Sequence, residues 1–177
     1  MEIIVKCDVI LDFIEIVKKR RSIRRYKPDQ IPEKQLNYVI EATRLAPSWA
    51  NRQPWKFIIV TDQVLKRKIT MRDWAAEAPI VIVGIADPKI SGTRSDKHYY
   101  LLDMGIAMEH MMLAAAELGL GTCWIGGQFN EDAIREILKI PSQYRVVALT
   151  PLGYPDEEPF PKERKNVQEI IIHETWQ

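Results

Sequence analysis

The chain has 177 residues, of which 46% are hydrophobic and 28% charged, and its formal net charge is +1. These values predict one soluble globular domain with a substantial core, and the nearly neutral charge argues against a dedicated nucleic-acid binder. No apolar run is long enough to span a membrane and residues 1–12 lack signal-peptide features, so a cytoplasmic location is expected. The two cysteines and three histidines show no metal-binding spacing.

Apolar spacing and turn residues predict interleaved helices and strands. The predicted helices cover Ile10–Lys19, Pro32–Ala46, Asp62 to about Arg72, Tyr99–Leu118 and Glu131–Leu138, and the predicted strands cover Phe57–Val60, Ile80–Ala86, Thr122–Ile125, Arg145–Leu149 and Val167–His173. The helix that begins at Tyr99 is apolar on most faces, which is typical of a central core helix whose methionines fill space. The glycine fingerprint of a dinucleotide-binding βαβ unit is missing, which argues against a Rossmann domain.

A basic segment carries seven cations in the ten residues from Lys18 to Lys27. So much positive charge in a nearly neutral chain requires a negative partner. Ser22 lies among arginines, and this favours a phosphate monoester, because arginine binds phosphate oxygens bidentately and the hydroxyl adds a hydrogen bond. A solvated basic helix end that complements the helix dipole explains the segment equally well.

A polar loop lies between Ala46 and Trp55, where Ser48, Asn51 and Gln53 stand among two prolines and two tryptophans. This composition suits a rigid loop that offers hydrogen bonds beside flat apolar surface, as a heteroaromatic ring would require. For Trp55 itself, packing into the core is the preferred interpretation.

Two further motifs lie downstream. Gly126 and Gly127 follow a predicted strand, where the missing side chains would let a backbone N–H approach a ring closely. A simple turn is an equally good reading of that pair. The segment Pro161–Lys165 carries a second basic group, which by itself is typical of solvated surface.

Together these motifs resemble the nitroreductase family of FMN-dependent oxidoreductases, from about Phe13 to Trp176. They occur in the family's order: Arg-Arg-Ser-Ile-Arg, Pro-Ser-x-x-Asn-x-Gln-Pro-Trp, Gly-x-Gly-Thr-Cys-Trp-Ile-Gly-Gly, and Leu-Gly-Tyr-Pro followed by Pro-Lys-x-Arg-Lys. Residues 1–12 fall outside the pattern.

The resemblance implies an α+β fold in which a mostly antiparallel central sheet is flanked by helices. It implies a single FMN-binding domain over residues 1–177 and an intertwined homodimer with two FMN molecules at the interface. Residues 155–177 would form the C-terminal arm: Pro155–Lys162 would cross to the partner, and Asn166–Thr175 would add a strand to the partner's sheet.

The resemblance also implies roles for individual residues. Arg20 and Ser22 match residues that hold the FMN phosphate and ribityl chain, and Arg21 would contribute there through its backbone. Arg24 matches the basic residue at the pyrimidine end of the flavin, where it would stabilise the negative charge that develops on reduction. A loop that reaches the partner's flavin in this family matches Ser48, Asn51 and Gln53. The stretch along the isoalloxazine matches Ile125, Gly126 and Gly127. The second basic pair on the phosphate matches Lys162 and Arg164. The Gly126 N–H would donate to flavin N5, so Arg24 and Gly126 are the expected catalytic positions, with no metal.

The implied activity is ping-pong hydride transfer from NAD(P)H through flavin N5 to electron-poor acceptors such as nitroaromatics or quinones. The connection between Ala86 and Tyr99 is short, which favours an open acceptor site. Within that connection, Ser91–Arg94 either contacts the phosphates of the nicotinamide nucleotide or forms a flexible surface loop. Two alternatives remain: a flavin carrier or sensor on the same fold, and a nucleic-acid module that uses the basic segment.

Overall fold

The computed structural model describes residues 13–176. The helices are α1 (Phe13–Lys19), α2 (Glu33–Arg44), α3 (Gln63–Ile69), α4 (Asp73–Ala76), α5 (Pro88–Ser91), α6 (Tyr99–Glu117), α7 (Glu131–Ile137) and α8 (Val167–Ile170), with a 3-10 turn over Trp49–Asn51. The strands are β1 (Trp55–Val60), β2 (Ile80–Ala86), β3 (Thr93–Arg94), β4 (Lys97–His98), β5 (Gly121–Thr122) and β6 (Arg145–Gly153).

An antiparallel sheet of four strands, in the order β1-β2-β6-β5, occupies the centre of the fold. All seven residues of β2 are buried, because this strand lies between β1 and β6 and has helices on both faces. Ile58 of β1 pairs with Val83 of β2, and Val83 pairs in turn with Leu149 of β6. The predicted α+β fold with an antiparallel sheet is therefore confirmed.

Alternate residues of β2 point into two separate cores, as the two-residue period of a strand requires. On one face, Ile82 packs with buried Met104, Met108 and Met111 of α6 and with Val39 of α2. The other core joins Val81 and Val83 to α3 and α7. The methionines of α6 are core residues, as predicted, and Trp55 packs against the first core.

Several predicted elements change at their ends. The helix predicted from Asp62 to about Arg72 ends at Ile69, because the chain is extended at Thr70, and the short helix α4 begins only after the predicted end. The strand predicted over Thr122–Ile125 shortens to β5 and an isolated bridge between Ile125 and Leu149. The connection after β2 contains α5 and the β3–β4 hairpin, and Ser91 within it is buried. The first residues of the predicted Ile10–Lys19 helix lie outside the described range.

The predicted strand over Val167–His173 is wrong. Residues Val167–Ile170 form the helical turn α8, and residues 171–173 are not in a strand of the described chain. The Asn166 backbone N–H donates to the Glu169 carboxylate at 2.8 Å, which is typical of a helix start. This local capping decides the conformation against the β-branched composition.

Within residues 13–176, no helix is both long and apolar enough to cross a membrane.

Candidate functional site

The basic segment is held as an additional edge of the sheet. After α1, Ser22 bridges Thr122 of β5 in parallel, and the Ile23 N–H donates to the Thr122 carbonyl at 2.9 Å. Further along, the Lys27 N–H donates to the Tyr154 carbonyl at 2.9 Å, just beyond β6. Backbone pairing at both ends therefore fixes the path of the cationic residues between them.

A cavity of about 500 Å³ opens beside this segment. It is lined by Val17, Lys18, Arg20, Arg21, Ser22, Arg24, Pro159, Phe160, Pro161, Lys162 and Arg164. Six predicted cofactor-binding residues thus meet at one place, although Lys162 and Arg164 lie far along the chain from the others. Arginine, lysine and serine donors around one cavity can bind a phosphate dianion through charge-assisted hydrogen bonds.

Carboxylates of the same region compensate part of this charge. The Arg20 Nε lies 3.7 Å from Glu109 Oε1 on α6. Glu157 accepts hydrogen bonds from the backbone N–H groups of Arg24 and Arg25, the latter at 3.1 Å, and it pairs with the Arg25 guanidinium at 3.9 Å. Glu157 is not among the predicted site residues, since an acidic residue beside a basic cavity has no distinctive sequence pattern.

Arg24 lines the cavity and also contacts a second region of the chain, around Trp74. Its guanidinium carbon lies 5.8 Å from the centre of the Trp74 ring, within the range of a cation–π interaction. Two residues before Trp74, the Arg72 guanidinium donates twice to the Gln128 side-chain oxygen, at 2.8 and 3.0 Å. These contacts connect Arg24 to the chain immediately after Gly127.

The predicted glycine pair lies in this second region but not on the basic cavity. The Ile125 N–H and carbonyl are both paired with Leu149 at 2.9 Å, so its backbone is committed to the sheet edge. Gly126 is exposed, and a Cβ at this position would collide with the Trp124 indole nitrogen. Gly127 is exposed with open space around its Cα. A side chain at position 126 would therefore have to displace the Trp124 ring, which is 40% exposed, whereas glycine leaves that ring in place.

The polar loop lies at the opposite end of α6. The Trp49 N–H donates to Asp103 in the second turn of that helix, whereas Ala116 and Gly119 line a smaller cavity of about 390 Å³ that adjoins the basic one. Asp103 and Ala116 are thirteen positions apart on this helix, which corresponds to roughly 20 Å. The structure consequently does not bring Ser48, Asn51 or Gln53 to the basic cavity of the same chain.

A buried thiol lies behind the basic segment. Cys123 is 4% exposed, and its burial raises the pKa of the thiol, although Arg24, Ser22 and Arg20 act in the opposite direction. It is therefore a neutral, shielded group near neutral pH. Residues 13–176 contain no group of histidines, cysteines and carboxylates that could hold a metal.

Comparison with known proteins identifies the family. The model of the nitroreductase family matches residues 17–72 and 70–154. The chain belongs to the nitroreductase family. A nitroreductase family protein from Clostridium novyi NT is 44% identical, with a TM-score of 0.78 over 83% of this chain and 87% of its own.

Two other relatives have names that mention a flavin. An FMN-dependent nitroreductase from Clostridium difficile R20291 is 31% identical, with a TM-score of 0.80 over 92% of this chain and 99% of its own. The FMN reductase [NAD(P)H] of Bacillus subtilis strain 168 is 28% identical over 93% of this chain and 74% of its own. The resemblance inferred from the motifs is thus confirmed at the level of the family.

Proposed function

We propose that the chain is an FMN-dependent NAD(P)H oxidoreductase that reduces electron-poor acceptors such as nitroaromatics or quinones by a ping-pong mechanism. The observation that carries this proposal is the cavity where Arg20, Ser22 and Arg24 meet Lys162 and Arg164. The nitroreductase family to which the chain belongs supports a role in oxidoreduction.

The residues present fit FMN. Relatives named an FMN-dependent nitroreductase and an FMN reductase support it as the cofactor. Arg20, Ser22, Lys162 and Arg164 would hold its phosphate, with Arg21 nearby. When bound, FMN supplies hydride acceptance from NAD(P)H at N5 and hydride delivery to the second substrate.

Two groups of this chain would contact the isoalloxazine ring of the flavin. The Arg24 guanidinium would lie near flavin N1 and the C2 carbonyl, where negative charge develops on reduction, and would stabilise that charge. The Gly126 N–H would donate to N5, because Gly126 is exposed and has no side chain of its own, and its Ile125 neighbour is fixed to Leu149. These two groups make Arg24 and Gly126 the proposed catalytic positions, beside Ile125 and Gly127.

The proposal includes a homodimer whose loops complete each other's sites. Leu101, Leu102 and Ile106 of α6 are 45%, 54% and 40% exposed, and in the C-terminal arm Phe160 and Trp176 are 91% and 85% exposed. Large apolar side chains in such numbers favour a second copy as their cover. An arm crossing to the partner, and Ser48, Asn51 and Gln53 approaching the partner's flavin, follow from this arrangement.

The test is the visible absorption spectrum of the purified protein, before and after anaerobic addition of NADH or NADPH. We expect one releasable FMN per chain and bleaching on a catalytic timescale. The variant Arg20→Ala should purify with less FMN, whereas Arg67→Ala should not, because it removes the same charge from an exposed position on α3 that pairs with Glu77 at 3.6 Å.

The other outcomes separate the alternatives. Flavin that no pyridine nucleotide bleaches would favour a carrier or sensor. A colourless protein that takes up no added FMN would refute the proposal, and the basic cavity would then require another anion. The cytoplasmic location stays a prediction.

A further inference from the structure

A buried carboxylate lies outside the site described above. Asp103, in the second turn of α6, is 2% exposed. Its Oδ1 accepts a hydrogen bond from the Trp49 backbone N–H at 2.7 Å, and its Oδ2 accepts one from the Ser91 hydroxyl at 2.6 Å. Ser91 is itself fully buried. Because a carboxylate is costly to bury unless hydrogen bonds satisfy it, these two bonds account for its place among the buried, mostly apolar residues of this helix.

Asp103 is one of three groups that fix Trp49. The Trp49 ring stacks on Tyr99, with ring centres 5.2 Å apart and planes 7° from parallel. Gly92 lies against the same ring, and a Cβ there would be 3.3 Å from it. Asp103 holds the backbone while Tyr99 and Gly92 hold the ring, so the start of the polar loop is restrained on several sides.

The rest of that loop needs such restraint. Ala50, Asn51 and Gln53 have φ angles of 48°, 54° and 48°, which non-glycine residues rarely adopt. Inside the loop, the Gln53 N–H donates to the Ser48 hydroxyl oxygen at 2.9 Å, and the Gln53 amide donates to the Asn51 carbonyl at 3.1 Å. Asn51 and Gln53 are exposed. Strained conformations of this kind persist where the surrounding structure over-determines them, and they concentrate at ligand-contacting sites.

We propose that Asp103 is a positioning residue that orients the Asn51 and Gln53 amides toward the flavin of the partner subunit. The proposal rests on the proposed function, since it assumes that this loop meets FMN. Asp103 acts through the Trp49 backbone and touches no flavin itself. The bond to Ser91 further ties the loop to the α5–hairpin segment, so both segments share one anchor.

The experiment compares two substitutions at one position. Asp103→Ala removes both acceptors. Asp103→Asn keeps an oxygen for the Trp49 N–H and turns an amide toward the Ser91 hydroxyl, which can accept as well as donate. With FMN affinity measured by flavin fluorescence, we expect Asp103→Ala to bind roughly tenfold more weakly than the wild type and Asp103→Asn to stay within about threefold. If Asp103→Ala fails to fold, Asp103→Ser takes its place. The serine side chain is too short to reach both donors but leaves room for water, and we expect the same roughly tenfold loss of FMN affinity.

A double-mutant cycle tests whether the effect passes through the loop. Asn51→Ala/Gln53→Ala removes the amides that Asp103 is proposed to orient. In that background, Asp103→Ala should cause no further loss of FMN affinity, because nothing is left to position. Additive losses would overturn the proposal, and so would unchanged affinity in Asp103→Ala.

The same measurements separate this proposal from the proposed function. If the wild type binds no FMN, the proposed function fails. If Asn51→Ala/Gln53→Ala binds FMN as well as the wild type, the loop does not contact flavin and the role of Asp103 fails with it. If the loop variant binds weakly while Asp103→Ala binds normally, only the role of Asp103 is refuted.

Discussion

Glu157 joins the two basic groups that line the cavity. It comes shortly before Lys162 in the chain, yet its carboxylate binds the backbone N–H groups of Arg24 and Arg25. The Asp156 N–H adds a bond to the Arg25 carbonyl at 2.9 Å. Glu157 is therefore a positioning residue for the cationic cluster, although its charge opposes that of a phosphate.

These two effects predict opposite results for Glu157→Ala. Loss of a negative charge alone would tighten FMN binding, whereas loss of the backbone bonds would loosen it. We expect loosening by roughly tenfold, because hydrogen bonds to a charged group contribute about 1.5–3 kcal/mol each. Titration of the apoprotein of each variant with FMN measures this change in affinity. The matched control is Glu158→Ala, which removes the same charge from the exposed neighbour and should leave the affinity unchanged or slightly higher.

Arg24 provides a prediction about reduction rather than binding. Its permanent charge would stabilise the negative charge of the reduced ring, so Arg24→Ala should lower the reduction potential of bound FMN by tens of mV, on the order expected for one nearby charge. Potentiometric titration of the flavin spectrum measures the shift, with Arg67→Ala as the charge-matched control. An unchanged potential together with unchanged turnover would remove Arg24 from the catalytic positions.

Tyr26 predicts how stability depends on pH. Burial raises the pKa of Tyr26 far above its ordinary value, and its hydroxyl donates to the Ile23 carbonyl at 2.6 Å. Because the unfolded chain releases this proton near pH 10 while the folded chain retains it, the free energy of unfolding should fall above about pH 10, by up to about 1.4 kcal/mol per pH unit. Tyr26→Phe should flatten this decline and cost about 1 kcal/mol at neutral pH. Urea unfolding of the wild type and of Tyr26→Phe between pH 7 and 11 measures the free energy of unfolding at each pH. If the two proteins lost stability equally with rising pH, the prediction would be contradicted.

Among the elements, β5 determines where the basic segment lies. A Cβ added to Gly121 would be 2.6 Å from Ile23 Cγ1 and 2.9 Å from Ile23 Cβ, too close for the two chains to keep their spacing. Ile23 stands between Ser22 and Arg24, so movement here displaces the cavity wall. Gly121→Ala should therefore destabilise the fold by about 1–3 kcal/mol and also weaken FMN binding.

Gly84→Ala is the control for this effect. In β2, an added Cβ would be 2.7 Å from the Met104 sulfur, in the core and away from the basic segment. We expect Gly84→Ala to lower the melting temperature but leave FMN affinity intact, whereas Gly121→Ala changes both. Equal affinities in the two variants would show that the β5 contact does not control the site.

The same elements show what the sequence could predict. The strand over Ile80–Ala86 has the predicted bounds and the helix from Tyr99 ends one residue early, because a long apolar run between turn signals leaves few alternatives. Predictions were weaker where one local contact decides the conformation. The turn at Val167 follows from the Asn166–Glu169 bond, and the connection after Ala86 is ordered by Ser91, whose partner Asp103 is distant in sequence.

In the candidate site, too, some residues could be predicted from the sequence and others could not. Arg20, Ser22, Lys162 and Arg164 were predicted to share one phosphate, and the structure brings them to one cavity. Asp103, Trp74 and Glu157 were missed, since each acts through contacts between remote segments. Only Asp103 has a recognisable signal, as an acidic residue among the apolar positions of a core helix.

At the scale of the whole molecule, α6 separates the two regions that the proposed site would combine. The basic cavity lies near its C-terminal end and the anchored polar loop near its N-terminal end. A two-fold axis perpendicular to α6 would pack the helix against its copy in antiparallel orientation and would bring one chain's loop toward the other chain's cavity. Such an interface would cover Leu101, Leu102 and Ile106 of α6, which are exposed in the single chain.

Leu102→Asp tests this arrangement. A charge on the exposed face of α6 would be buried without a partner in the dimer, so we expect a monomer by light scattering. Because the proposed site includes the partner's loop, the same variant should also purify without FMN. Val64→Asp is the matched control: Val64 is 60% exposed on α3, and that protein should remain dimeric and flavin-bound. A monomeric Leu102→Asp that retains FMN would show that one chain builds the site alone, and an intact flavin-bound dimer would place the interface elsewhere.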